Sequence, residues 1–287
     1  MPNAPSAGAT SPTRDPPAGG RRLTAAEPLS SGALSFEGVD AALSIEHVSK
    51  RFGRLWAVSD VSLQVPPGIA FGLVGPNGSG KTTLIRCCVG ILKPEEGAVR
   101  IGGHDLTAGD LEAKRLLGYA PELPDPVRTL TPWDHLAFLG QALELPGWEQ
   151  EATRLLAAFD LLDKKDRMSL SLSKGEQQKV MLCMAFLRRP AVIFLDEPLL
   201  GLDPRASLSL KREVRGLLAG GGSAMICSHV LSLIEELCAA MGVMSRGRLV
   251  FLGTPEGMRA AARQAPGTPL EESFVRVTEP GGGIEGP

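Results

Sequence analysis

The chain has 287 residues, a formal net charge of −2, 43% hydrophobic residues and only 5% aromatic ones. That length allows a buried core in one or two domains, and the near-zero charge lacks the electrostatic footprint of a dedicated nucleic-acid binder. No apolar run approaches the roughly 18 residues that span a bilayer, the longest being 180–187, so any membrane role must run through a partner.

Residues 1–42 are dominated by Pro, Gly, Ala, Ser and Thr. Such a segment buries too little to offset its ordering entropy, so a disordered arm is expected there. Arg21-Arg22 is followed by Leu23-Thr24-Ala25-Ala26-Glu27-Pro28, not by the apolar stretch of an export signal. A cytoplasmic protein is therefore expected. The cysteines agree: Cys87 and Cys88 adjoin, Cys183, Cys227 and Cys238 sit among apolar residues, and no metal spacing occurs. They read as reduced, buried thiols.

From Leu43 the chain becomes patterned. Leu43, Ile45 and Val48 begin a strand, and Val61, Leu63 and Val65 alternate with polar residues. After Pro66-Pro67-Gly68, residues 69–74 form a continuous apolar run, as in a strand buried on both faces. Gly75-Pro76-Asn77-Gly78-Ser79-Gly80-Lys81-Thr82 follows and leads into a helix over 83–89. This is the GxxxxGK[ST] loop in its strand-to-helix setting. Its glycines let successive N–H groups face phosphate oxygens, and the helix N-terminus adds positive potential. Lys81 is placed for the β- and γ-phosphates, and the Thr82 hydroxyl for Mg²⁺.

The stretch 123–175 lacks a buried-strand pattern and reads as a helical insertion. Thr131-Pro132 with Asp134 starts one helix, and a second covers 149–159. Ser173 and Glu176 have the spacing of a capping box ahead of a helix over 177–188. Residues 191–195 form a second buried run, ending in Asp196-Glu197, and 224–227 a third. An acid at the carboxyl end of such a strand suits Mg²⁺, and a second acid beside it suits activating a water. The core is therefore expected to be α/β, a mostly parallel sheet flanked by helices. His47, His104 and His135 read as structural or solvated.

Taken in order, the phosphate loop, helical insertion, Ser173-Lys174-Gly175-Glu176, Leu195-Asp196-Glu197, Gly201-Leu202-Asp203-Pro204 and Ser228-His229 resemble the ATP-binding cassette of ABC transporters. The resemblance covers about 43–255. It implies a P-loop NTPase (RecA-like) core, an N-terminal antiparallel β subdomain, an inserted α-helical subdomain, and a cassette over 43–260 with a tail over 261–287. It implies ATP and Mg²⁺ as cofactors, bound along Gly75, Pro76, Asn77, Gly78, Ser79, Gly80, Lys81, Thr82 and Thr83. Phe52 takes the place of the aromatic that stacks on adenine. Asp196 takes the Mg²⁺-binding position, Glu197 that of the catalytic base and His229 that of the switch histidine. Ser173 and Gly175 take the signature positions that meet the γ-phosphate of an opposite cassette, and Asp203 lies in the loop joining the two.

Departures from the family pattern are also visible. Glu122 stands where the loop entering the insertion (118–122) usually carries Gln; a glutamate still approaches Mg²⁺ but cannot donate as an amide does. Lys174 and Glu176 replace Gly and Gln of LSGGQ, and Leu199-Leu200 precede Gly201 in place of Thr-Ser. None removes a reacting group. With Leu270-Glu271-Glu272-Ser273-Phe274 near the C-terminus, these variants look most like cassettes of small export-type systems. The resemblance thus implies an ATPase subunit that pairs with a second cassette, as a homodimer, and drives a separate membrane permease. The alternatives are a soluble non-transport ABC-type ATPase, or a cassette that senses ATP without turnover.

Overall fold

The computed structural model describes residues 41–278. Most of the expected N-terminal arm, and residues 279–287 of the expected tail, lie outside the described residues.

The described residues open with β1 (Leu43–Phe52) and β2 (Leu55–Val65), an antiparallel pair in which Leu43 faces Val65 and Ile45 faces Leu63. β3 (Ala70–Val74) is buried throughout and leads through the phosphate loop into α1 (Lys81–Cys88). β4 (Glu96–Ile101) and β5 (His104–Asp105) complete an antiparallel sheet in the order β2-β1-β4-β5. α2 (Leu111–Leu116), capped by Asp110, then leads to β6 (Leu117–Ala120).

The inserted segment holds α3 (Pro132–Ala142) and α4 (Trp148–Ala158). Thr131 and Asp134 form a reciprocal capping box at α3. α5 (Lys174–Leu187), β7 (Val192–Asp196), α6 (Pro204–Ala219), β8 (Ser223–Cys227) and α7 (Leu231–Leu237) follow. β9 (Ala240–Ser245) and β10 (Arg248–Gly253) form a hairpin, and α8 (Pro255–Ala261) and α9 (Leu270–Thr278) end the described chain.

The central sheet runs β10-β9-β3-β8-β7-β6, parallel except for β10. Its strands bury alternate residues on opposite faces. Phe71, Val192, Phe194 and Met225 pack towards α1 and the antiparallel sheet. Ile193, Leu195, Ala224 and Ile226 pack towards α5, α6 and the insertion. Each such large apolar side chain contributes about 1.5–3 kcal/mol by leaving water. Among the described residues all five cysteines are free and buried, as the sequence suggests. The histidines with structural readings have such partners: His47 meets Asp60 and His104 meets Asp110, each at 2.8 Å. His135 meets the Thr131 carbonyl and the Val127 N–H.

Two expectations change. The loop expected over 118–122 begins only at Pro121, because 117–120 is β6, an edge strand paired with β7. Four residues with a glycine among them give no readable alternation. Gly118 is needed because a Cβ there would strike the Ala185 carbonyl oxygen of α5. The helix expected over 177–188 starts at Lys174, since Ser173 caps it.

Candidate ATP site

The carboxyl ends of β3, β7 and β8 lie side by side, the usual place for a ligand in a parallel α/β sheet. The phosphate loop leaves β3 there. Gly80 caps α1 with φ 107, and a Cβ on it would meet the Ala57 carbonyl oxygen, so only glycine fits. Lys81 is 8% exposed. Its ammonium folds back on the loop, donating to the carbonyls of Gly75 at 2.7 Å and Pro76 at 3.1 Å. An ammonium has three donors, so one remains for a phosphate oxygen. The Ser79 hydroxyl is buried with no hydrogen-bond partner. Thr82 and Thr83 stand in the first turn of α1.

Asp196 ends β7 and is 1% exposed. Neither of its carboxylate oxygens has a hydrogen-bond partner. Burial pushes its pKa up. The Cys227 thiol and Thr82 hydroxyl lie close enough to oppose that, and the charges of Glu122 and Glu197 add to it. A buried carboxylate left unpaired is destabilising. The oxygen donors of Asp196 and Thr82, with half-buried Glu122 near them, fit a hard divalent cation.

Glu197 follows at φ 47, a left-handed conformation uncommon for a side chain other than glycine. Its N–H donates to the Cys227 carbonyl at 2.8 Å, which ties it to the end of β8. Its Oε2 lies 2.8 Å from His229 Nδ1 and accepts from the Ser228 hydroxyl and the His229 N–H, each at 3.2 Å. The structure thus brings Glu197 and His229 into direct contact beside the carboxylate of Asp196. Phe52, at the end of β1, is exposed, with the Lys50 ammonium 5.8 Å from its ring centre.

Ser173, Gly175 and Asp203 gather elsewhere, at the N-termini of α5 and α6. No hydrogen bond joins them to the phosphate loop among the described residues. Ser173 N–H donates to Glu176 Oε2 at 2.7 Å, and the Ser173 hydroxyl accepts from Glu176 N–H. The capping box thus uses Ser173, one of the two positions expected to form the signature, and Gly175 lies between its two members. Lys164 sits 2.7 Å from Glu176 and, with the Ser173 N–H, holds the Glu176 pKa down to about 2. Asp203 caps α6 through Ala206 N–H and accepts from Lys179 at 2.7 Å.

Residues 58–200 match the family model described as ABC transporter. The chain is 32% identical to the daunorubicin resistance ATP-binding protein DrrA2 of Streptomyces coeruleorubidus, over 76% of this chain and 68% of that one. It is 31% identical to the Nod factor export ATP-binding protein I of Paraburkholderia xenovorans, over 77% and 74%. A solved ATP-binding subunit of an ABC transporter superposes with a TM-score of 0.79 at 31% identity, over 83% of this chain and all of that one.

The chain belongs to the ABC transporter family. As an ATP-binding cassette it binds ATP with Mg²⁺ and hydrolyses it to drive transport. Cassettes of this family dimerise and work with membrane permeases. Two contacts at the candidate site involve residues to which the motifs assign no role of their own, Ser228 within Ser228-His229 and Lys179. Ser228 donates to Glu197, and buried Lys179 holds Asp203. A serine beside the histidine and a lysine on an apolar helix face were the available signals, and each has an ordinary structural explanation when met alone.

Proposed function

We propose that this cassette, spanning 43–260, powers an exporter as one of a pair of identical chains, with each ATP held between them. The observation that carries the site assignment is the partnerless carboxylate of Asp196 beside the Glu197–His229 pair, at the mouth of the phosphate loop. The export reading draws on relatives named for drug resistance and for Nod factor export.

Gly75, Pro76, Asn77, Gly78, Ser79 and Gly80 wrap the phosphates through backbone N–H groups, and Thr82 and Thr83 close the cradle at the head of α1. Lys81 turns its remaining N–H to the β- and γ-phosphates. Phe52 stacks on adenine. Asp196, Thr82 and Glu122 hold Mg²⁺, which when bound neutralises charge on the phosphate oxygens. Glu197 accepts a proton from the attacking water as its oxygen bonds to the γ-phosphorus and the bond to the β-phosphate oxygen breaks. His229, with Nδ1 held by Glu197, offers its other edge to the γ-phosphate. Ser173 and Gly175 meet the γ-phosphate bound by the partner, where the positive end of α5 and Lys174 favour an anion. The Asp203 loop links the two sites.

Exposed Leu123, Val127, Met168 and Leu170 support a permease dock at the insertion, close to Glu122. Backbone bonds from Ser169 to Leu130 and from Leu170 to Arg128 bring their two segments together. Among the described residues no helix is long and apolar enough to cross a membrane. Coupled to its permease, the cassette works at the cytoplasmic face of the membrane.

The test is Glu197→Gln. ATP binding should persist, turnover should fall by at least about 100-fold, and an ATP-dependent dimer should accumulate on a sizing column. Unchanged turnover removes Glu197 as the base. Reconstitution with the membrane protein of the neighbouring gene tests direction: uptake into inside-out vesicles supports export, and the opposite polarity refutes it.

A further inference from the structure

The first turns of α5 hold together loops that carry different parts of the ATP site. Gly175 lies against Gly201, where a Cβ would strike the Gly201 carbonyl oxygen. Lys179 is buried and donates to Asp203 at 2.7 Å. One residue before it, Gln178 turns towards β6. Its Nε2 donates to the Pro121 carbonyl oxygen at 3.2 Å. The side chain is 1% exposed, and its Oε1 has no hydrogen-bond partner.

Packing alone does not account for a glutamine here. A buried acceptor without a donor is destabilising, and an apolar side chain of similar length would avoid it. The Pro121 carbonyl belongs to the peptide group completed by the Glu122 N–H. The bond from Gln178 therefore fixes the plane from which Glu122 leaves the sheet. Behind it, Gly118 lets β6 and α5 touch backbone to backbone. The loop, the strand and the signature helix thus share one contact.

We propose that Gln178 is a positioning residue that sets the approach of Glu122 to the Mg-ATP of its own chain. It ties that approach to the orientation of α5, which offers Ser173 and Gly175 to the ATP of the partner. When Glu122 is drawn to the cation, the Pro121 carbonyl moves with it and pulls on α5 through Gln178. The unused Oε1 accepts a loop N–H in the second position, which makes the pair of arrangements discrete, as coupling between sites requires. This rests on the roles proposed above for Glu122 and the signature.

The full chain is tested with Gln178→Met, which keeps length and loses the bond. ADP affinity should stay within about twofold, while kcat falls about three- to tenfold, the worth of one hydrogen bond. In a Glu122→Ala background the same change should add almost nothing, since the path is already cut. In a Glu197→Gln background it should weaken the ATP-dependent dimer about tenfold, measured by sedimentation. Losses that multiply in the Glu122 double variant, or an unweakened dimer, overturn the proposal. Wild-type kcat in Glu122→Ala alone is a different failure, that of the Glu122 role. Gln178→Asn keeps the amide but shortens the reach, and gives the same comparisons if Gln178→Met does not fold.

Discussion

Replacing Asp196 with Asn separates the stability of the empty cassette from its ability to hold a cation. The carboxylate is 1% exposed, and neither oxygen has a hydrogen-bond partner. Like charges of Glu122 and Glu197 act on it as well. Leaving such a group unpaired costs about 1–3 kcal/mol, and more when it is ionised. Asn has the same shape without the charge, so Asp196→Asn should make the nucleotide-free protein more stable by about 1–3 kcal/mol. For a folded unit of this size that is a rise in Tm of about 2–10 °C. Ligand linkage should work against that difference. At 100 times its Kd, Mg-ATP stabilises a protein by about 2.7 kcal/mol, and the variant should lose most of that gain when Mg²⁺ is added to ATP. The assay is urea unfolding in buffer, in ATP with chelator, and in Mg-ATP. A nucleotide-free variant less stable than wild type, or an equal gain from Mg²⁺ in both proteins, would refute the assignment of Asp196 to the cation.

Lys81→Ala should abolish ATP binding, measured by fluorescent-nucleotide titration, and retained micromolar affinity would contradict the phosphate-loop assignment. Asp203→Asn keeps a capping side chain for α6 but leaves buried Lys179 without its carboxylate. Unfolding should show a loss of about 1–3 kcal/mol, since Asp203 is half exposed and screened. Glu176→Gln keeps an acceptor for the Ser173 N–H and loses the ion pair with Lys164. The folded pKa of Glu176, about 2, lies below its ordinary 4.5, so its stabilising effect is present above pH 4.5 and fades as pH falls towards 2. The wild type should therefore exceed the variant by about 1–2 kcal/mol at pH 7, less than the full linkage because water screens the pair. That gap should narrow below pH 4.5, and a constant gap in urea unfolding down to pH 3 would contradict the ion-pair account.

The elements legible in the sequence were those whose pattern repeats over several residues. β3, β7 and β8 announced themselves as apolar runs because both faces are covered. α3 was legible from Thr131-Pro132 and Asp134, since a capping box is local. β6 was not, because its four residues include Gly118, whose reason lies in a helix 67 residues further along, at the Ala185 carbonyl. The site divides in the same way. Lys81, Thr82 and Asp196 follow from strand ends and a loop motif, but the direction of Glu197 does not. Alternation along β7 would send Glu197 away from Asp196. The left-handed φ of 47 breaks that alternation, held by the bond from its N–H to Cys227 and the contact with His229. Cys227 ends β8 and His229 lies two residues beyond it, some 30 residues later in the chain, so no local pattern could encode the turn. The direction of Glu197 is thus a backbone conformation tied to a neighbouring strand, and that explains why Leu195-Asp196-Glu197 is weak evidence in isolation and stronger once Ser228-His229 is placed beside it.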